Sequence, residues 1–98
     1  MTHLRTRAVH AGQHPDPASG AIAMPITQST AFAYGSLERG AAIFAGEAEG
    51  YRYGRYGNPT VAALEAKMAD LEGAEAAVAF ASGTAATAAT VLALLQPG

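Results

Sequence analysis

The sequence predicts an α/β fold, as the opening of a parallel-sheet domain preceded by an extended arm. Three observations carry that expectation. The apolar run at residues 76–81 ends at Ser82-Gly83 and leads into a nearly all-round apolar helix at residues 84–95, which together make half of a βαβ unit. Before it, Pro59 to Glu72 repeats its apolar residues at helical spacing. Finally, Gly12, Pro15, Pro17, Gly20 and Pro25 punctuate the first 34 residues too closely for a helix or long strand to survive between them.

The arm comes first in the chain. Its apolar residues Val9, Ile22, Met24, Ile26 and Phe32 need a surface to cover, and a neighbouring subunit is the natural candidate. His3, His10 and His14 suggest a metal site, but Pro15 removes the helical register that His10 and His14 would need, so no metal is expected. Ser36 then serves as an N-cap for a short helix in which Leu37, Ala41 and Phe44 share a face, closed by Gly46. Glu47 and Glu49 read as a solvated turn.

The loop YRYGRYGNPT, residues 51–60, crowds Tyr51, Tyr53 and Tyr56 with Arg52 and Arg55 before the helix-opening pair Asn58-Pro59. Two guanidinium forks beside phenols can hold a phosphate or carboxylate. By composition alone the loop also reads as a solvated turn with surface tyrosines. In the helix that follows, Val61, Leu64, Met68 and Leu71 form an apolar stripe with Ala66 and Asp70 opposite, and Gly73 is the stop. Lys67, the only lysine, lies at the stripe's edge, where its stem would snorkel over the core.

The run at residues 76–81 is apolar on both faces, so a strand there belongs inside a parallel sheet that this chain cannot complete alone. Gln96-Pro97-Gly98 ends the last helix where a crossover to another strand is expected, so the sequence reads as part of a longer protein. At the intervening turn, Ser82-Gly83-Thr84 offers free backbone N–H groups at a helix N-terminus, and Gly83 leaves room for an oxyanion. Such a turn is also a common packing device. It matches neither a Walker A loop nor G-x-G-x-x-G, so nucleotide binding is disfavoured.

Composition narrows the function classes further. A content of 50% hydrophobic and 14% charged residues in 98 is richer in apolar groups than a self-contained domain of this length needs. The net charge of −2 and the absence of a basic run give no footprint for nucleic acid. With no cysteine there is neither a disulfide nor a thiolate metal site, and the N-terminus lacks the apolar core of a secretory signal. Arg5 and Arg7 suggest a transit peptide, but serine and a clear amphipathic period are missing, so a cytoplasmic protein is expected. Residues 76–95 are interrupted by Ser82-Gly83 and three threonines, which favours a buried core over a membrane span.

The two candidate anion elements together resemble the trans-sulfuration group of pyridoxal-phosphate (PLP) enzymes, which includes cystathionine γ-synthase, cystathionine γ-lyase, methionine γ-lyase and O-acetylhomoserine sulfhydrylase. The family pattern Y-x-R-x-x-N-P-T stands as Tyr53-Gly54-Arg55-Tyr56-Gly57-Asn58-Pro59-Thr60, and S-G-x-A-A as Ser82-Gly83-Thr84-Ala85-Ala86. The arm adds AVHAG, the Pro25 to Phe32 motif and LEG at Leu71 to Gly73. The resemblance implies a fold-type I transferase-like enzyme, with residues 1–58 as an arm contacting a neighbouring subunit and residues 59–98 as the start of the PLP domain. It also implies that Tyr53 and Arg55 bind the phosphate of the neighbouring subunit's PLP, while Gly83 and Thr84 hold that of their own. Gly54 and Thr84 depart from the commonest family choices, serine being usual at the first.

The resemblance further implies a homo-oligomer whose subunits share active sites in pairs, with a tetramer expected, acting on a small amino-acid substrate. γ-Elimination is the expected reaction, since GAAIFAGEAEG looks most like methionine γ-lyase and AFASG-x-AAT like cystathionine γ-lyase. γ-Replacement is the alternative, and a non-catalytic fragment that docks on a subunit is an alternative of another class. The family's covalent lysine falls beyond Gly98, and Lys67 does not match it, so no catalytic residue and no activity are expected of these residues alone.

Overall fold

A computed structural model describes residues 3–98, in which four helices follow one another: α1 (Leu4–His10), α2 (Leu37–Ala45), α3 (Pro59–Glu72) and α4 (Gly83–Leu94). Helix α1 corrects the expectation of an arm without helix. The breakers begin only at Gly12, and the seven residues before His10 and Ala11 contain none. Such a short segment is marginal alone, and α1 has neither a side-chain N-cap bond nor an acid in its first turn. Packing on α3 supplies what propensity does not.

That packing is close. Arg7 Nε donates to Asp70 Oδ2 at 2.8 Å, and Lys67 Nζ donates to the Val9 carbonyl at 3.1 Å, satisfying an acceptor in the last turn of α1. At Gly12 (φ 70°) an added Cβ would stand 2.4 Å from the Ala63 carbonyl oxygen and 2.9 Å from the Lys67 amide nitrogen. Only glycine permits both that backbone conformation and that approach. Helices α1 and α3 are the only two that touch among the described residues. The face of α3 carrying Asp70 therefore packs on α1, while Val61, Leu64 and Met68 on the expected core stripe remain 42–51% exposed.

Helix α2 begins and ends as its sequence directs. Ser36 Oγ accepts from Arg39 N at 3.1 Å, and Gly46 adopts the left-handed conformation at φ 77°. Ile43 is buried, and Phe44 meets Tyr34 edge to face at 5.8 Å between centroids. Helix α3 is capped by the Asn58 side chain, which accepts from Thr60 N and Val61 N, and closes at Gly73 with φ 65°.

The strand expected at residues 76–81 is not formed. The segment runs without helix or ladder, and the described residues contain only one isolated antiparallel bridge, Ala31 to Tyr53. A central parallel strand owes its stability to neighbours on both edges, and no second strand among the described residues supplies them. Its Ala79 amide instead donates to Glu65 Oε1 at 2.8 Å. Helix α4 follows as expected, capped by Ser82, but it buries no residue, and Leu92 and Leu94 are 81% and 76% exposed.

The exposed area totals 7936 Å², against about 5,200 Å² for a compact monomer of this mass. The radius of gyration, 16.2 Å, likewise exceeds the ~13 Å of a packed chain of this length. Only Ile43 and Ala69 are buried apolar residues among those described. The apolar surplus read from composition thus lies on the surface. No helix among the described residues is long and apolar enough to cross a membrane.

Candidate functional site

The arginine–tyrosine loop is not loose. Residues 25–31 run alongside it and are fastened at both ends. At one end Gly54 N donates to Thr30 O at 2.8 Å, next to the Ala31–Tyr53 bridge. At the other, Asn58 Nδ2 donates to Thr27 O at 2.8 Å, and Thr60 Oγ1 accepts from Thr27 N at 2.9 Å while donating to Pro25 O at 3.0 Å. Between these fastenings the chain turns through Tyr53 to Gly57, with Tyr56 N and Gly57 N both donating to Tyr53 O. A Cβ at Gly54 would lie 3.1 Å from Ser29 O, so the glycine lets the two segments approach more closely than a residue with a side chain would.

The turn presents Arg55, whose guanidinium carbon lies 5.2 Å from the centroids of both the Tyr53 and Tyr56 rings. Arg52 stacks on Tyr56 at 4.7 Å and on Phe44 at 5.4 Å. Aromatic faces hold both cations without neutralising them. The one ion pair among the described residues is Arg7 with Asp70, so neither arginine of the loop is matched by a carboxylate there. Arg55 is exposed, as is Tyr53 at 42%. A planar donor fork and an adjacent phenol are thus free for an anionic guest.

The second predicted element lies at the start of α4. Ser82 Oγ accepts from Ala85 N at 3.1 Å, and Ala86 N donates to Ser82 O at 3.1 Å. The Gly83 and Thr84 amides precede the first intrahelical bonds, and no other acceptor takes them among the described residues. A Cβ at Gly83 would meet nothing within 4 Å, so the approach to these amides is open. Both donor sets suit a phosphate: a cation without a counter-charge on one side, and unsatisfied N–H groups at a helix N-terminus on the other.

Tyr53 is brought together with Arg55, and Gly83 with Thr84, but no hydrogen bond or ring stacking joins the two pairs within one chain. Lys67 is committed to the Val9 carbonyl. No group of three or more side chains among the described residues could hold a metal ion. The sequence reading assigned no role to Thr60, although its hydroxyl bridges two residues of the arm. Its local sequence gave no signal of this, because the partners are 33 and 35 positions away.

Comparison with known proteins identifies the chain's relatives. The model of the Cys/Met metabolism PLP-dependent enzyme family matches residues 5–98. L-Methionine gamma-lyase of Pseudomonas putida is 48% identical over 93 residues, covering 95% of this chain and 23% of that protein. Cystathionine gamma-synthase of Mycobacterium tuberculosis is 47% identical over 93 residues, covering 95% of this chain and 22% of that protein. A solved structure from Campylobacter jejuni that carries N'-pyridoxyl-lysine-5'-monophosphate superimposes with a TM-score of 0.92 at 32% identity, covering 100% of this chain and 24% of that one. The chain spans about a quarter of the length of the curated relatives it matches.

Proposed function

The chain belongs to the Cys/Met metabolism PLP-dependent enzyme family, and from that premise we propose that the complete protein catalyses γ-elimination on a sulfur-containing or O-acylated amino acid. The observation that carries this reading is the Tyr53–Arg55 turn, which offers a guanidinium without a carboxylate partner inside the Y-x-R-x-x-N-P-T motif. PLP supplies an electron sink for carbanion chemistry when bound. The residues in hand would retain and orient it. Arg55 and Tyr53 would donate to its phosphate from one subunit, and the Gly83 and Thr84 amides from another.

Residues 1–58 act in this reading as the arm that reaches the neighbouring subunit, and residues 59–98 as the first part of the cofactor domain. Two features support an assembly of subunits that share active sites: the exposed Ile22 and Ile26 on the arm, and the exposed apolar surface of α4. Tetramers would pair such dimers, in the cytoplasm. In this reading the covalent lysine is none of residues 1–98, which is supported by the engagement of Lys67 with the Val9 carbonyl, and residues 1–98 alone should be inactive.

γ-Replacement is the second reading, favoured by the similarity to a cystathionine gamma-synthase. The test incubates the full-length protein with L-methionine or L-cystathionine, with and without an added thiol. Release of a thiol, a 2-oxo acid and ammonia without a second thiol is expected. Turnover of an O-acylated homoserine only when a thiol is present would establish replacement instead.

A further inference from the structure

The arginine–tyrosine turn hangs between two attachment points on residues 25–31, and one of those points is made largely by side chains. Thr60 Oγ1 sits between two backbone groups of the arm, accepting from Thr27 N and donating to Pro25 O. Asn58 divides its amide in the same way: its Oδ1 caps α3 through Thr60 N at 2.8 Å, while its Nδ2 holds Thr27 O at 2.8 Å. Neither side chain hydrogen-bonds to Tyr53 or Arg55. From these contacts we infer that Asn58 and Thr60 are positioning residues, a polar buckle that ties the arm to the first turn of α3 and thereby fixes where Tyr53 and Arg55 present their donors.

The physical case rests on what else could hold the turn. Tyr53, Arg55 and Tyr56 are exposed, and Arg55 is steadied only by stacking on rings that belong to the same turn. Tyr51 and Arg52 are held from outside the turn: Tyr51 lies against Phe32, the Tyr34 hydroxyl donates to Arg52 O at 3.4 Å, and Arg52 stacks on Phe44. Beyond them no hydrogen bond from another segment among the described residues fixes residues 55–57, so the position of that part of the turn is set at its ends. At the Tyr53 end, main-chain bonding to Thr30 and Ala31 does this irrespective of sequence. At the α3 end no backbone hydrogen bond joins residues 25–27 to residues 58–60. The Thr60 hydroxyl and the Asn58 amide supply all the hydrogen bonds of that joint. A hydroxyl that both donates and accepts cannot be replaced by an isosteric methyl without leaving a carbonyl and an amide without partners.

This inference rests on the reading of Tyr53 and Arg55 as phosphate ligands, and the test separates the two. Full-length Thr60→Val, Thr60→Ser and Arg55→Ala proteins are freed of cofactor, and PLP retention is measured by equilibrium dialysis. Amide hydrogen exchange at Thr27 and Gly54 is followed in the cofactor-free forms. Thr60→Val is expected to weaken retention about 3- to 10-fold, as loss of one or two hydrogen bonds implies, and to speed exchange at Thr27. Thr60→Ser, which keeps the hydroxyl and lacks the methyl, should match the parent in both.

Retention that falls with Arg55→Ala but not with Thr60→Val overturns the positioning role and leaves the site reading standing. Equal loss in the valine and serine variants also overturns it, since the methyl rather than the hydroxyl bridge would then matter. Unchanged retention in Arg55→Ala overturns the site reading and the inference with it.

Discussion

At the scale of single residues, the chain's chemistry is concentrated in side chains that are held but not neutralised. Arg55 lies against Tyr53 and Tyr56 with no carboxylate partner, so its donors are available. Arg55→Ala in the full-length protein should weaken PLP retention by about 1–3 kcal/mol, the range for losing a charge-assisted hydrogen bond, as read by equilibrium dialysis. Gly12 is constrained differently. Gly12→Ala would bring a Cβ against the backbone of α3 in a left-handed conformation, which should cost about 1–3 kcal/mol or release α1 from α3, visible as faster amide exchange in α1. Asp16 is shifted by its hydrogen bonds. The Ser19 hydroxyl and amide donate to its Oδ2 at 2.6 and 2.8 Å and hold its pKa below the ordinary carboxylate value. Because the folded value is depressed, this turn is favoured above the unfolded pKa and loses that support as pH falls through the folded one. An NMR titration should show the Ser19 amide shifting with an Asp16 midpoint that rises toward the ordinary range in Ser19→Ala, which loses the hydroxyl but keeps the amide donor.

At the scale of elements, the helices differ in what makes them form. Helices α2, α3 and α4 carry their own start signals in Ser36, Asn58 and Ser82, and each of these side chains accepts a hydrogen bond from the first turn. Ser82→Ala should cost α4 about 1 kcal/mol, measured as lost helicity by circular dichroism, because the Ala85 amide would lose its acceptor. Helix α1 has no such cap and depends on Arg7, Lys67 and Gly12 meeting α3. For that reason caps and periodicity disclosed three helices in the sequence, whereas the first escaped notice. The strand at residues 76–81 failed in the opposite sense: its apolar pattern was read correctly as a segment without a polar face, but a ladder needs partners from elsewhere.

At the scale of the whole molecule, surface dominates. An area of 7936 Å², compared with about 5,200 Å² for a compact monomer, leaves Leu92, Leu94, Val78 and Ile22 each more than 70% exposed. Residues 1–98 produced alone should therefore self-associate and melt without a sharp transition, while retaining helical circular dichroism. Sedimentation at increasing concentration and a thermal scan provide the check. A monomer with a cooperative melt would contradict the view that these residues complete their core against other protein surface.

The sequence by itself determined the motifs and the local stops and starts. Tyr53, Arg55, Gly83 and Thr84 could be nominated as phosphate ligands because their residue types and spacing belong to the chain's local order, as do the caps of α2, α3 and α4 and the glycine stops of α2 and α3. Tertiary structure alone decided which face of α3 meets α1, that Lys67 closes α1, and that the Thr60 hydroxyl clasps the arm. Those contacts join residues 33 to 63 positions apart, and nothing in a local pattern encodes them. They arise only when the backbone has folded far enough for a carbonyl and a distant donor to meet.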